Sequence, residues 1–193
     1  MHSELEGSPF TQQSLIAQLE AGARIKYIFF WGHTATREAI SKHCFSQWFE
    51  RDFIVDGINY PTAEHWMMAE KARLFGDEEV LEQILKSSKP GEAKDLGRRV
   101  RDFDNETWNA KRFDIVVQGN FHKFQQHDDL RNFLIQTNER VIVEASPVDV
   151  IWGIGIAEDS NDAMNPARWK GPNLLGFALM EVRHRMKNLG NRQ

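Results

Sequence analysis

A chain of 193 residues, 41% hydrophobic and 27% charged, has the makeup of one ordinary globular domain with a real core. Its net charge of -4 argues against a general nucleic-acid binder, and no run approaches the roughly 18 apolar residues of a membrane helix. The single cysteine, Cys44, excludes an internal disulfide, and the start of the chain lacks a signal-peptide pattern, so a cytoplasmic enzyme or binding module is expected.

Ser8-Pro9 followed by LIAQLEAG reads as a capped helix of three turns ending near Gly22, an N-terminal helical extension over residues 1–23. The main domain, residues 24–190, opens with the apolar run from Arg24 to Trp31, a buried strand. Phe53 to Tyr60 carries Asp-Gly between short β-branched and aromatic runs, a hairpin signal. Thr62 then caps a helix through Phe75, and a second helix from Asp77 puts Val80, Leu81, Ile84 and Leu85 on one face. Pro90 opens a third that runs through Ala93, Leu96 and Val100. Asn105 caps a longer one, with Gly119 marking a close approach of another element. A short helix follows over Asp128 to Gln136, then short strands over Arg140 to Ala145 and Val150 to Trp152. Gly153 to Pro172 reads as an irregular loop, and a closing helix buries Leu175, Leu179, Val182 and Met186. The fold class is α+β, predominantly helical, in a single domain with a few short strands. With no GxGxxG, no Walker A loop and no regular strand–helix alternation, a Rossmann sheet is disfavoured.

The segment YPTAEHWMMAEKARLF, Tyr60 to Phe75, stands out. Glu64 and Lys71 are seven residues apart, close to two helical turns, so they share a stripe with Met67 and Met68. A carboxylate and an amine on an apolar face need partners or have chemistry to perform. The plainer reading puts Glu64 in the first turn for the helix dipole and lets Lys71 reach water along an apolar groove. Lys94, Arg98, Arg99, Arg101, Lys111 and Arg112 form a basic cluster, either a solvated face or a phosphate site. Asp149, Trp152, Gly153, Trp169 and Asn173 flank the long loop where a small-molecule pocket is expected, although Asp149 and Asn173 also suit caps. His122 and His127 are five apart and do not share a helix face, so no metal site is expected. Cys44 reads as a small buried apolar residue rather than a nucleophile.

PTAEHWMMAEKA, GRRVRDF, the isolated Trp108, DVIWGIG and WKGPNLLGFALMEVR, in that order, resemble the NADAR family, also called YbiA-like. The resemblance covers the chain from Tyr27 to Met186. It implies an N-glycosidase that needs no cofactor and cuts between a ribose anomeric carbon and a base nitrogen. The implied partners are a small-molecule ribosylated base of the riboflavin pathway or an ADP-ribose adduct on guanine, as in ADP-ribosylated nucleic acid. The family's catalytic glutamate falls on Glu64, its helix lysine on Lys71, its functional tryptophan on Trp108 and its aspartate on Asp149. In the same reading Trp152 stacks on the base or walls the pocket, Arg98 and Arg99 meet phosphate, and Gly153 and Asn173 line the site. One bacterial form has Trp-Gly-Asp-Gly where this chain has Ile154, which puts no carboxylate there. A non-catalytic module that reads ADP-ribose or a nucleotide is the competing class.

Overall fold

The computed structural model describes residues 9–32 and 40–190. Helix α1 (Gln12–Glu20) starts one turn later than Pro9 suggests, because Thr11 and Ser14 cap it reciprocally: each hydroxyl accepts the other's amide, at 2.9 and 3.1 Å. Ser8 lies outside the described residues. Leu15 is buried, and Gln12 donates to the Pro166 carbonyl at 2.7 Å, so α1 packs on the domain through the 3-10 turn Pro166–Arg168.

Strand β1 (Tyr27–Phe30) leads to a 3-10 turn at Lys42–Phe45 and to the hairpin β2 (Phe53–Val55) and β3 (Ile58–Tyr60). Asp56 and Gly57 both have positive φ, 50° and 78°, as a tight two-residue hairpin turn requires. Helices α2 (Ala63–Leu74), α3 (Glu78–Lys86), α4 (Pro90–Gly97), α5 (Asn105–Gln126) and α6 (Asp128–Gln136) follow. Strand β4 (Val141–Glu144) then returns to pair with β1 in parallel, Phe30 opposite Glu144, and α7 (Leu174–Gly190) closes the fold.

α2 is the centre of the helical layer. Every residue from Ala63 to Ala69 is buried, and the helix packs against α3, α4 and α5. A Cβ on Gly119 would sit 2.2 Å from the Trp66 ring, so the glycine does mark a close approach, of α5 onto α2. A Cβ on Gly176 would meet the Ile142 carbonyl at 2.1 Å, which brings the backbone of α7 directly onto β4.

Three local expectations are corrected. Asp104 rather than Asn105 caps α5, accepting the Thr107 amide at 2.7 Å. α4 ends at Gly97 and does not reach Val100; a Cβ at Gly97 would lie 2.0 Å from the Met68 sulfur, so this glycine serves packing as well. Val150 to Trp152 is a turn, not a strand, because the Asp149 carboxylate accepts the amides of Ile151 and Trp152 at 2.8 and 2.7 Å and bends the chain around itself.

Candidate active site

The site is built around the first turn of α2. Thr62 caps the helix and also hydrogen-bonds the His65 ring at 2.8 Å, while the Glu64 amide donates to the Gln47 carbonyl at 3.0 Å. Those contacts hold the Glu64 side chain inward, and the residue is only 3% exposed. The Trp48 indole hydrogen-bonds its carboxylate, yet its Oε1 is buried with no partner. Burial pushes the Glu64 carboxyl up to about 7; the Lys94 amine, the Trp48 hydrogen bond and Arg98 oppose the shift, and Asp149 adds to it. Lys94 also lies 5.8 Å from the Trp48 ring centroid, so indole and amine form one wall beside the carboxylate.

A second carboxyl group interacts with the first through space. Glu144 is the last residue of β4, and its Oε2 is buried without a partner. Burial, then the neighbouring Asp149 and Glu64 carboxylates, push it up to about 8, against a smaller pull from Lys94. Its backbone is fixed on both sides: the amide donates to Asn173 Oδ1 at 2.9 Å, and the carbonyl accepts the Ile154 amide at 2.9 Å. Asp149 joins the group from the turn that its Oδ1 organises.

Lys71 does not reach this cluster. Seven residues along α2 from Glu64 amount to about 10 Å of helix rise. There its amine donates to the Gly97 carbonyl at 2.8 Å and lies 4.2 Å from the Phe103 ring and 5.7 Å from Trp108. Desolvation in this aromatic surround lowers the Lys71 pKa. The cation beside Glu64 is Lys94.

The remaining expected residues divide clearly. Trp108 is buried beside Lys71. Trp152 is half-buried, with the Arg112 guanidinium 5.9 Å from its ring. Arg98 is exposed, pairs with Asp95 at 2.9 Å, and still acts on Glu64 through space. Arg99 is exposed, and its amide closes α4 on the Leu96 carbonyl at 2.8 Å. Gly153 and Asn173 also pack against and hold β4. A Cβ at Gly153 would be 2.8 Å from the Glu144 carbonyl oxygen. Asn173 is fully buried with a φ of 58°, and both ends of its amide bind β4, Oδ1 at Glu144 and Nδ2 at the Ile142 carbonyl at 2.9 Å.

Glu144, Trp48 and Lys94 are the site residues that sequence reasoning did not single out. Lys94 was visible only as one member of a basic cluster, and Trp48 as one of six tryptophans. Glu144 carried a usable signal: a charged residue ends an otherwise apolar strand run, VIVE, at the carboxyl end of a strand where ligands tend to bind.

Fold and site together define a small helical α+β protein that buries a cluster of carboxylates beside an indole and an amine. The NADAR domain family model matches residues 29–187, and the chain belongs to the NADAR family. It is 44% identical over 163 residues to an N-glycosidase of Acanthamoeba polyphaga mimivirus, covering 82% of this chain and 95% of that protein. It is 32% identical over 142 residues to the N-glycosidase YbiA of Shigella flexneri, 74% of this chain and 80% of that one. The NMR structure of the E. coli protein YbiA superposes with a TM-score of 0.70 at 26% identity, covering 89% of this chain and 90% of its own. Among the described residues no helix is long and apolar enough to cross a membrane.

Proposed function

We propose that this chain hydrolyses the bond between the anomeric carbon of a ribose and a base nitrogen, with a ribosylated riboflavin-pathway intermediate of the phosphoribosylaminouracil type as substrate. The reaction class, a hydrolase acting on N-glycosyl compounds, rests on the family and on relatives named N-glycosidases. The observation that carries the reading is the buried Glu64 carboxylate, with one oxygen unpartnered and an indole and an amine beside it.

Breaking a ribosyl C–N bond builds positive charge on the sugar and negative charge on the departing nitrogen, and water completes the reaction. An ionised Glu64 in a low-dielectric setting stabilises the oxocarbenium-like carbon or takes the proton of the attacking water. With its carboxyl pushed up to about 7, Glu64 titrates in the range that suits a general base at neutral pH. Asp149 fixes sugar hydroxyls, Trp108 and Trp152 bound the base, and Arg98 and Arg99 meet a phosphate. Lys71, its pKa lowered by desolvation and its amine seated on the Gly97 carbonyl away from Glu64, would have to leave that carbonyl to attack a ring-opened sugar and give an imine.

The test is a panel of ribosylated uracil intermediates and ADP-ribosylated guanine oligonucleotides, incubated with wild type and Glu64→Gln and assayed for free base. Release from the uracil compounds that collapses in the variant supports the reading. Undiminished release by a folded Glu64→Gln protein removes Glu64 from the chemistry. Release from guanine adducts alone moves the substrate to ADP-ribosylated nucleic acid, and tight binding without release makes the chain a reader. Borohydride reduction in the presence of substrate tests Lys71, and no covalent adduct rules out the imine.

A further inference from the structure

We propose that Glu144 is the general acid of this reaction, handing its proton to the departing base nitrogen while Glu64 deprotonates the attacking water. The inference rests on the N-glycosidase reading and assigns the second half of its proton inventory. Water gives one proton to Glu64 as its oxygen bonds the anomeric carbon. The C–N bond breaks with its electron pair left on nitrogen, and that nitrogen takes the proton from Glu144. Passage of the proton from Glu64 back to Glu144 restores the starting state, so no further reactant is consumed.

Position is the first argument. Glu144 stands at the carboxyl end of a parallel strand pair, opposite Phe30 in register, where ligands bind open sheets. Its amide is held by Asn173 and its carbonyl by Ile154, both at 2.9 Å, so the side chain leaves a backbone locked from two directions. Asn173 keeps that grip from a left-handed backbone conformation, φ 58°, which side chains rarely adopt.

Pairing is the second. Oε2 of Glu144 and Oε1 of Glu64 are both buried and unpartnered, and the two carboxyl groups interact through space. The charged groups that bear on Glu144 are Asp149 from the turn, Glu64 from α2 and Lys94 from α4. Buried carboxylates that act on one another and share the field of a single amine relieve their repulsion by keeping a proton. That proton belongs on Glu144. Glu64 has the Trp48 hydrogen bond and the fields of Lys94 and Arg98 to hold it ionised, whereas after burial the largest influence on Glu144 is the Asp149 carboxylate. Acid and base are therefore set apart by their surroundings, as a hydrolytic carboxylate pair requires.

Two measurements on the full chain test this. Glu144→Gln keeps the side chain's size but has no proton to give, and it should lower kcat by about 100-fold or more. Its kcat/KM profile should also lose the falling alkaline limb of the wild type, while Glu144→Asp keeps that limb. Separately, carbon-13 NMR of protein labelled at the glutamate carboxyl should show one signal titrating above neutrality that is absent from Glu144→Gln. A rate loss that leaves the alkaline limb in place, or a wild type with no such titrating signal, overturns the assignment. The NMR titration needs no substrate. A wild type that holds the proton but frees no base from any substrate would therefore count against the N-glycosidase reading and not against the protonation of Glu144.

Discussion

Glu64→Gln is expected to stabilise the folded chain above neutrality and to leave it unchanged in mild acid. Burial raises the Glu64 carboxyl from its ordinary 4.5 to about 7, so the folded chain holds that proton more tightly than the unfolded chain does. The stability this confers is fully present below pH 4.5 and is lost as the pH rises through 7. At 1.36 kcal/mol for each tenfold change in proton affinity, the loss amounts to about 3 kcal/mol by mild alkali. Asp149 adds to this shift, while Lys94, the Trp48 hydrogen bond and Arg98 oppose it. Glutamine fills the same space, still offers an oxygen to the Trp48 indole, and has no charge to bury. For a chain of this size each kcal/mol moves Tm by about 2–4 °C. Melting curves by calorimetry at about pH 4 and about pH 8.5 should therefore coincide at the first and separate by several degrees at the second, with the variant higher. A difference in Tm that is the same at both values, or a variant that grows less stable with pH, would refute the claim that burial of charge dominates at Glu64.

Three further outcomes follow from the same geometry. Lys94→Met removes the cation that lowers both carboxyls, so the rising acidic limb of the kcat/KM profile should move up by about one pH unit. An unmoved limb would take Lys94 out of the electrostatics. Gly119→Ala puts a Cβ 2.2 Å from a Trp66 ring that is itself held by a 2.8 Å hydrogen bond to the Ile115 carbonyl. Urea titration should show a loss of about 1–3 kcal/mol. Asn173→Ala strands the Glu144 amide and the Ile142 carbonyl at a left-handed position, and it should cost about 2–4 kcal/mol, of which Asn173→Gly recovers only the backbone share.

Much of the architecture was legible because short-range chemistry decides it. Asp-Gly at positions 56 and 57 demands a tight hairpin, Thr62 and Pro90 begin helices, and Gly119 has no use in a long helix except to admit a neighbour. The misses share one cause: a polar side chain redirected the backbone or was itself redirected. Val150 to Trp152 looks like a strand by composition, but the Asp149 carboxylate captures the amides of Ile151 and Trp152 and wins over β-propensity. Asn173 reads from sequence as a pocket residue or a helix cap, and the sequence gives no sign that its amide completes the hydrogen bonding of β4. The pairing of Glu64 with Glu144 joins residues 80 positions apart, and no local pattern announces it. Helical spacing relates Glu64 to Lys71, but it could not say that Lys94, from another helix, supplies the charge that acts on Glu64.

The buried charges elsewhere in the molecule explain why that pairing matters. Lys123 is fully buried, and its amine donates to the Cys44 and Ser46 carbonyls at 2.9 and 3.3 Å. Arg183 donates to the Thr137 hydroxyl at 2.7 Å and to the Arg140 carbonyl at 2.8 Å. Asp77 caps α3 and grips the Arg101 guanidinium and amide, which holds its carboxyl well below the usual carboxylate range. Each of these groups is tied down, as burial of a polar group demands. Among the described residues, the buried carboxylate oxygens left unpartnered belong to Glu64 and Glu144, on two elements whose backbones are otherwise tightly held. A fold that ties down Lys123, Arg183 and Asp77 yet leaves these two carboxylate oxygens open is stabilised less than it could be. Such a deficit is what a hydrolytic site needs, since a carboxylate already occupied by a partner could neither accept a proton from water nor give one to a leaving group.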